Sequence, residues 1–163
     1  MAKEIERKFL IDISQLGDLN SGVEIKQGYI STTDNTTDNT TDNIAVRIRL
    51  LGDKAFLTLK GKNTGATRSE FEYEIPVKDA NEMLAEFCSG PIIDKTRYLV
   101  EHCGHTWEVD IFRGDNDGLI VAEVEMQSEN ESVDIPTWAV QEVTGEDKYY
   151  NANLLNNPFK NWS

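Results

Sequence analysis

Arg47 and Arg49 stand two residues apart, as do Lys95 and Arg97, Glu4 and Glu6, Glu70 and Glu72, Glu108 and Asp110, and Glu123 and Glu125. Lys8 extends the first acidic pair, Arg68 precedes Glu70 and Glu74 follows Glu72, and Thr58 and Lys60 form one more pair. On an extended strand, residues two apart leave the same face about 6.7 Å from each other. The charges are grouped by sign, whereas a face shaped only for solubility mixes signs. Arg and Lys neutralise phosphate oxygens, and Arg does so with two parallel bonds. Carboxylates hold hard divalent cations such as Mg²⁺, which keep waters and bridge to phosphate. Such a cation polarises a phosphoryl oxygen or lowers the pKa of an attacking water. Both charge types in one place therefore suit a ligand with several phosphates, such as a triphosphate, because phosphoryl transfer depends on positioning and charge stabilisation.

The elements that must position these residues read as strands. Alternation of apolar and polar residues runs through 4–11, 23–32, 44–51, 54–61, 68–77, 96–102, 105–112 and 119–126. Turn residues separate several of them: Gly52-Asp53, Cys103-Gly104 and Asp117-Gly118. The simpler reading is an antiparallel sheet with one wet face and one core face. The like-signed grouping, supplied by every strand except 23–32, favours the charged faces turning inward in a closed eight-stranded antiparallel barrel. Eight strands leave room inside for a small ligand. The fold class is mainly β, with a few peripheral helices. Asp79 and Glu82 form a capping-box pattern for a helix over 79–88, with Gly90 beyond its end. A second helix is expected over 144–156, stopping before Pro158, and a short one within 13–19.

A tandem TTDN repeat fills 32–43. It has nothing apolar to bury and reads as a flexible expanded loop. Its aspartates recur every four residues without the glycine of a calcium loop, so a calcium site is not expected there. Asp115-Asn116-Asp117-Gly118 also fails as a calcium loop, since Arg113 and Val124 would fall at its first and last ligand positions. His102, Cys103 and His105 straddle a hairpin turn and read as structural. Trp107, Trp138 and Trp162 read as packing residues, and Tyr29 and Tyr98 as strand aromatics.

The 163 residues suit one domain spanning 1–163. With 29 acidic against 16 basic residues, the net charge of -13 argues against nucleic-acid partners and anionic membranes. Two cysteines without a CxxC pair fit a reducing compartment. The opening MAKEIERKFL has no apolar stretch of a secretory signal, and no run approaches the about 20 apolar residues of a membrane helix. A cytoplasmic protein, monomeric or homodimeric, is expected, and the sequons at Asn35, Asn39 and Asn161 then carry no meaning.

EIERKFL at 4–10 places Glu4, Glu6 and Lys8 in an ExExK pattern. Then follow QGYIS (27–31), VRIR (46–49), LTLKG (57–61), RSEFE (68–72), DKTRY (94–98), WEVDIF (107–112), VAEVE (121–125) and EVTGEDKYYNANL (142–154). In order and spacing this series resembles the CYTH proteins, the triphosphate tunnel metalloenzymes, across nearly the whole chain. The closing segment is similar to their small bacterial branch. The resemblance implies an eight-stranded tunnel and a triphosphatase or ATP cyclase dependent on Mg²⁺ or Mn²⁺. It implies that Lys8, Arg47, Arg49, Lys60, Lys95 and Arg97 bind and polarise phosphates, and that Glu4, Glu6, Asp110, Glu123 and Glu125 hold metal. Arg68, Glu70 and Glu72 match a further tunnel strand, the two glutamates orienting water or a second metal. Lys148 matches a basic position near the chain's end. The TTDN expansion departs from the family and leaves one tunnel mouth undefined. Hydrolysis of inorganic triphosphate is the leading expectation, because no base-binding motif accompanies the tunnel residues. The alternatives are a class IV-type adenylate cyclase, a thiamine or nucleoside triphosphatase, and a non-catalytic polyphosphate or nucleotide binding module.

Overall fold

The computed structural model describes residues 3–30, 44–62, 64–88 and 90–162. The TTDN repeat, with Asn35 and Asn39, lies outside the described residues. Among the described residues nine strands form: β1 Lys3–Ile11, β2 Val23–Ile30, β3 Ala45–Leu51, β4 Lys54–Lys60, β5 Thr67–Ile75, β6 Ile93–His102, β7 His105–Phe112, β8 Ile120–Glu125 and β9 Ala139–Glu142. The sheet runs β5-β4-β3-β2-β6-β7-β8-β1, and pairing of β5 with β1 closes it into an eight-stranded antiparallel barrel. Strand β9 adds to the far half of β1, pairing Phe9 with Glu142 and Ile11 with Ala139. Sequence patterning missed β9 because four residues are too few to show a period.

The tight hairpins sit where turn residues were expected. Gly52 takes φ 59°, and Cys103 and Gly104 take φ 49° and 85°, the left-handed pair of a two-residue hairpin loop. The register sets opposite charges across three strand pairs: Lys8 faces Glu123 across β1 and β8, Arg97 faces Asp110, and Lys60 faces Glu70, while Glu6 faces Glu125 as a pair of like charge.

Helix α1, Val77–Glu86, begins two residues earlier than the capping box suggests. Pro76 turns the chain from β5 straight into it at φ -61°, ψ 139°, and no side chain caps it. Asp79 lies in its first turn, where the helix dipole favours a carboxylate. The helix covers the outside of β3 and β4: Ala80 is fully buried on Ile48 and Ala55, with Met83 and Leu84 against the same cluster. On the opposite wall Trp107 packs between Phe9 and Trp138, each with ring centroids 5.3 Å away.

The expected helix over 144–156 is shorter and broken. A 3₁₀ turn at Asp147–Tyr149 is followed by α2, Asn151–Leu154, with Tyr150 extended between them at φ -70°, ψ 134°. Tertiary packing overrides propensity here. Tyr149 and Leu154 are drawn into a buried cluster with Ile93, Phe112, Val121 and Val143. Residues 13–15 form only a 3₁₀ turn, with Asp12 accepting from Ser14 N at its start. No described helix is long and apolar enough to cross a membrane.

Candidate functional site

Inside the barrel lies a cavity of about 1330 Å³. Its wall includes Glu4, Glu6 and Lys8 from β1, Arg47 and Arg49 from β3, Lys60 from β4, Arg68, Glu70 and Glu72 from β5. Lys95 and Arg97 from β6, Glu108 from β7, and Glu123 and Glu125 from β8 add to the charged lining, with Lys62 and Asp147 from the connecting segments. The inward faces then turn apolar at one end: Leu10 follows Lys8, Ile93 precedes Lys95, Phe112 follows Asp110 and Val121 precedes Glu123, each two residues along. These residues meet Tyr149 and Leu154 and close that end with hydrocarbon. The charges are thus held above an apolar floor, whose low polarisability strengthens each Coulomb interaction beside it.

The cations divide into two settings. Arg97 and Lys95 share Asp110: Arg97 Nε and Nη2 donate to its two oxygens at 2.7 and 2.9 Å, and Lys95 Nζ lies 2.7 Å from Oδ2. Burial alone would raise the Asp110 carboxyl, but Arg97 and Lys95 overcome it and hold it at about 2. Burial also pulls Lys95 down to about 7, with Asp110 opposing and Arg97 and Arg49 reinforcing the shift. One carboxylate serves two cations, and Arg97, bound by two bonds, holds the larger share. Arg47 and Arg49 lie on the other wall. Burial, then repulsion from Arg47 and Arg97, lowers Arg49 to about 10. Arg47 reaches Thr58 Oγ1 at 3.2 Å and Glu72 at 3.3 Å, while its buried Nε has no partner among the described residues. That donor is available to a ligand oxygen.

The carboxylates gather on β1 and β8. Burial, Glu123 and Glu4 together push Glu6 well above the ordinary carboxylate range. Glu123 is held well below it: burial opposes this, and Lys8 and the hydrogen bond from Glu6 prevail. Burial and Glu4 raise Glu125. Lys60 Nζ lies 3.1 Å from Glu4, and Lys8 Nζ lies 3.6 Å from Glu123. Among the described residues no three carboxylate, imidazole or thiolate groups stand in preformed ligating positions. The donor set nonetheless has the chemistry of a hard-cation site: four carboxylate side chains, of which burial together with Glu4 and Glu123 pushes Glu6 and Glu125 toward the neutral form.

Not every expected residue reaches the cavity wall. Asp110 is fully buried behind Arg97 and Lys95, and it touches those two cations. Lys148 lies outside, its ammonium 4.6 Å from the centre of the Trp162 ring. Four neutral residues that charge pairing had not singled out join the site, three on the cavity wall and Gln27 just behind it. Gln27 is fully buried beside Arg49 on β2, and Tyr29 follows it on the same face. Tyr150 and Asn151 come from the C-terminal segment, with Tyr150 under Lys8 at 5.2 Å and Arg68 at 5.9 Å. Strand β2 was set aside for lacking charges, although Ile25, Gln27 and Tyr29 continue the inward face. His105 pairs with Glu131 on the surface, away from these residues.

An inward-facing charged lining in a closed eight-stranded antiparallel barrel is the architecture of the CYTH domain. The domain's sequence profile matches residues 2–153, and the chain belongs to that family. It is 45% identical over 162 residues, 99% of both chains, to an inorganic triphosphatase of Acetivibrio thermocellus. It is 37% identical over 155 residues to an inorganic triphosphatase of Nitrosomonas europaea, covering 93% of this chain and 95% of that one. The crystal structure of an inorganic triphosphatase matches 95% of both chains at 35% identity, with a TM-score of 0.64.

Proposed function

We propose that this chain hydrolyses inorganic triphosphate to pyrophosphate and phosphate inside the barrel, with Mg²⁺ or Mn²⁺ on the acidic side. What supports the reading most is the convergence of Arg47, Arg49, Lys95 and Arg97 in one buried cavity facing the carboxylates of β1 and β8. A sensor of phosphate chains would gain nothing from the acidic half.

In this reading the cations of β3 and β6, with Lys8, Lys60 and Arg68, neutralise and orient the phosphate chain. Arg47 Nε supplies a donor that no group among the described residues occupies. Glu4, Glu6, Glu123 and Glu125 would hold the divalent cation, which withdraws charge from the phosphoryl oxygens. Asp110, placed in the metal set by resemblance, would serve that set from behind by fixing Lys95 and Arg97. Glu70 and Glu72 on β5 face into the cavity and would orient the attacking water. Water adds to a terminal phosphorus as the bond to its bridging oxygen breaks. Pyrophosphate and phosphate leave, and one proton passes to solvent at alkaline pH. Cys88 and Cys103 are both free thiols, which fits a cytoplasmic setting. Phosphorus NMR of a reaction with inorganic triphosphate and Mg²⁺ tests the activity. Equal molar growth of pyrophosphate and phosphate is expected, and an unchanged triphosphate spectrum with either metal would refute it.

A further inference from the structure

Gln27 and Asn151 are neutral, yet each bonds to a cation of the cavity wall, Asn151 from the lining itself and Gln27 from just behind it. Gln27 is fully buried on β2. Asn151 is the first residue of α2. Arg49 Nε donates to Gln27 Oε1 at 2.7 Å. Gln27 Nε2 donates to Asn151 Oδ1 at 3.2 Å and to the Tyr29 hydroxyl at 2.9 Å. Lys95 Nζ donates to the same Asn151 oxygen at 2.8 Å.

The direction of every bond in this series is dictated by its ends. Guanidinium and ammonium groups only donate. Arg49 therefore requires the oxygen of Gln27, and Lys95 requires the oxygen of Asn151. The Gln27 amide nitrogen is left facing Asn151, where it donates. Turning either amide over would set two donors or two acceptors against each other. Amide orientation is ordinarily inferred from the surrounding network, and here two cations fix it.

We propose that Gln27 and Asn151 form a neutral amide relay that positions Arg49 and Lys95 for phosphate without neutralising either, making the C-terminal segment part of the binding site. The proposal rests on the triphosphatase reading above. It gives two modes of holding a cation within one cavity. Asp110 fixes Lys95 and Arg97 from behind with a carboxylate, which takes part of their charge. The relay fixes Lys95 and Arg49 with amides, which leave the charge for the ligand. Both relay members are positioning residues, since they act through the cations. The relay also explains why the chain runs extended at Tyr150: that kink delivers Asn151 to Lys95 while the neighbouring Tyr149 carbonyl accepts from Lys8 Nζ at 3.3 Å.

Asn151→Asp separates this role from simple anchoring. Aspartate keeps the one oxygen that both donors use, so an anchor would be rescued by it, with kinetics like the parent's. A neutral relay would not be rescued, because the added carboxylate competes with phosphate for Lys95. KM for inorganic triphosphate should rise about tenfold or more, with kcat changed by less than about threefold and melting temperature no lower than the parent's. Gln27→Glu repeats the test at the other end, and it carries the proposal should Asn151→Asp fail to fold. The rise in melting temperature that triphosphate causes, measured in parallel, should shrink in both variants and needs no turnover. A parent that binds triphosphate without cleaving it would sink the activity while leaving the relay testable by that shift. A KM and a ligand-induced shift within about twofold of the parent's in the folded variants would overturn the relay.

Discussion

Arg97 and Asp110 are cross-strand partners on β6 and β7, joined by two parallel hydrogen bonds of 2.7 and 2.9 Å. The side chain of Asp110 is 1% exposed, and Lys95, equally buried, closes on it at 2.7 Å. A buried carboxylate with two cationic partners holds the innermost cations in place, and removing it leaves them facing each other.

Asp110→Asn should therefore destabilise the fold by about 3 kcal/mol near neutral pH, roughly 6–12 °C in melting temperature. The effect must depend on pH. The folded value of about 2 lies below the ordinary 3.8, so the unfolded chain binds this proton more readily. The stabilisation is present in full above about pH 4 and is lost as pH falls through about 2. Melting curves of the two proteins should converge between those values; a constant gap across that range would show that the Asp110 charge is not the source.

Glu6→Gln should move stability and metal binding in opposite directions. Burial, Glu123 and Glu4 disfavour the Glu6 charge, so its folded pKa lies above the unfolded one. The protonated form contributes stability at low pH that is lost as pH rises through the folded value. Glutamine mimics that form, so the melting temperature without metal should rise at pH 8 and stay nearly unchanged at pH 4. The Mg²⁺ concentration for half-maximal activity should increase several-fold, roughly 1 kcal/mol or more in binding. A variant less stable than the parent without metal at pH 8 contradicts the electrostatic assignment.

Arg47→Ala should lower kcat/KM by more than about tenfold, since a hydrogen bond to a charged group is worth roughly 1.5–3 kcal/mol. Its melting temperature should fall little, because Arg49 is relieved of a like charge beside it. Unaltered kinetics would place the phosphates elsewhere in the cavity.

Gly28→Ala probes the outer wall. A Cβ there would lie 2.9 Å from Cys88 Cβ and 3.0 Å from Leu84 Cδ2, beneath the end of α1. Such overpacking costs about 1–3 kcal/mol, so the melting temperature should fall by roughly 2–12 °C. Full stability in this variant would mean that α1 yields freely.

The barrel was legible in the sequence because its inner and outer faces differ so sharply. Arg47-Ile48-Arg49 and Glu123-Val124-Glu125 each state the face of their strand in three letters. The site was legible where it is charged and obscure where it is neutral. Gln27 and Asn151 follow no charge period, and their role arises from β2 and α2 meeting across a distance of 124 residues. Asp110 has the spacing of a wall residue, but its partners draw it out of the cavity, and spacing alone does not reveal partners. The broken segment around Tyr150 was obscured because local turn and cap signals describe a helix, while burial of Tyr149 and Leu154 at the barrel's end decides the backbone.

The central claim is that recognition resides in the phosphate chain. The cavity offers cations from β1, β3, β4, β5 and β6 to that chain. Pyrophosphate is too short to occupy both the binding cations and the reacting position, and ATP must also place a base and ribose. Steady-state kinetics with Mg²⁺ should therefore give inorganic triphosphate the highest kcat/KM, ATP a value at least about tenfold lower, and pyrophosphate almost none. A kcat/KM for ATP equal to or above that for triphosphate, with cyclic AMP as the main product, would contradict the account.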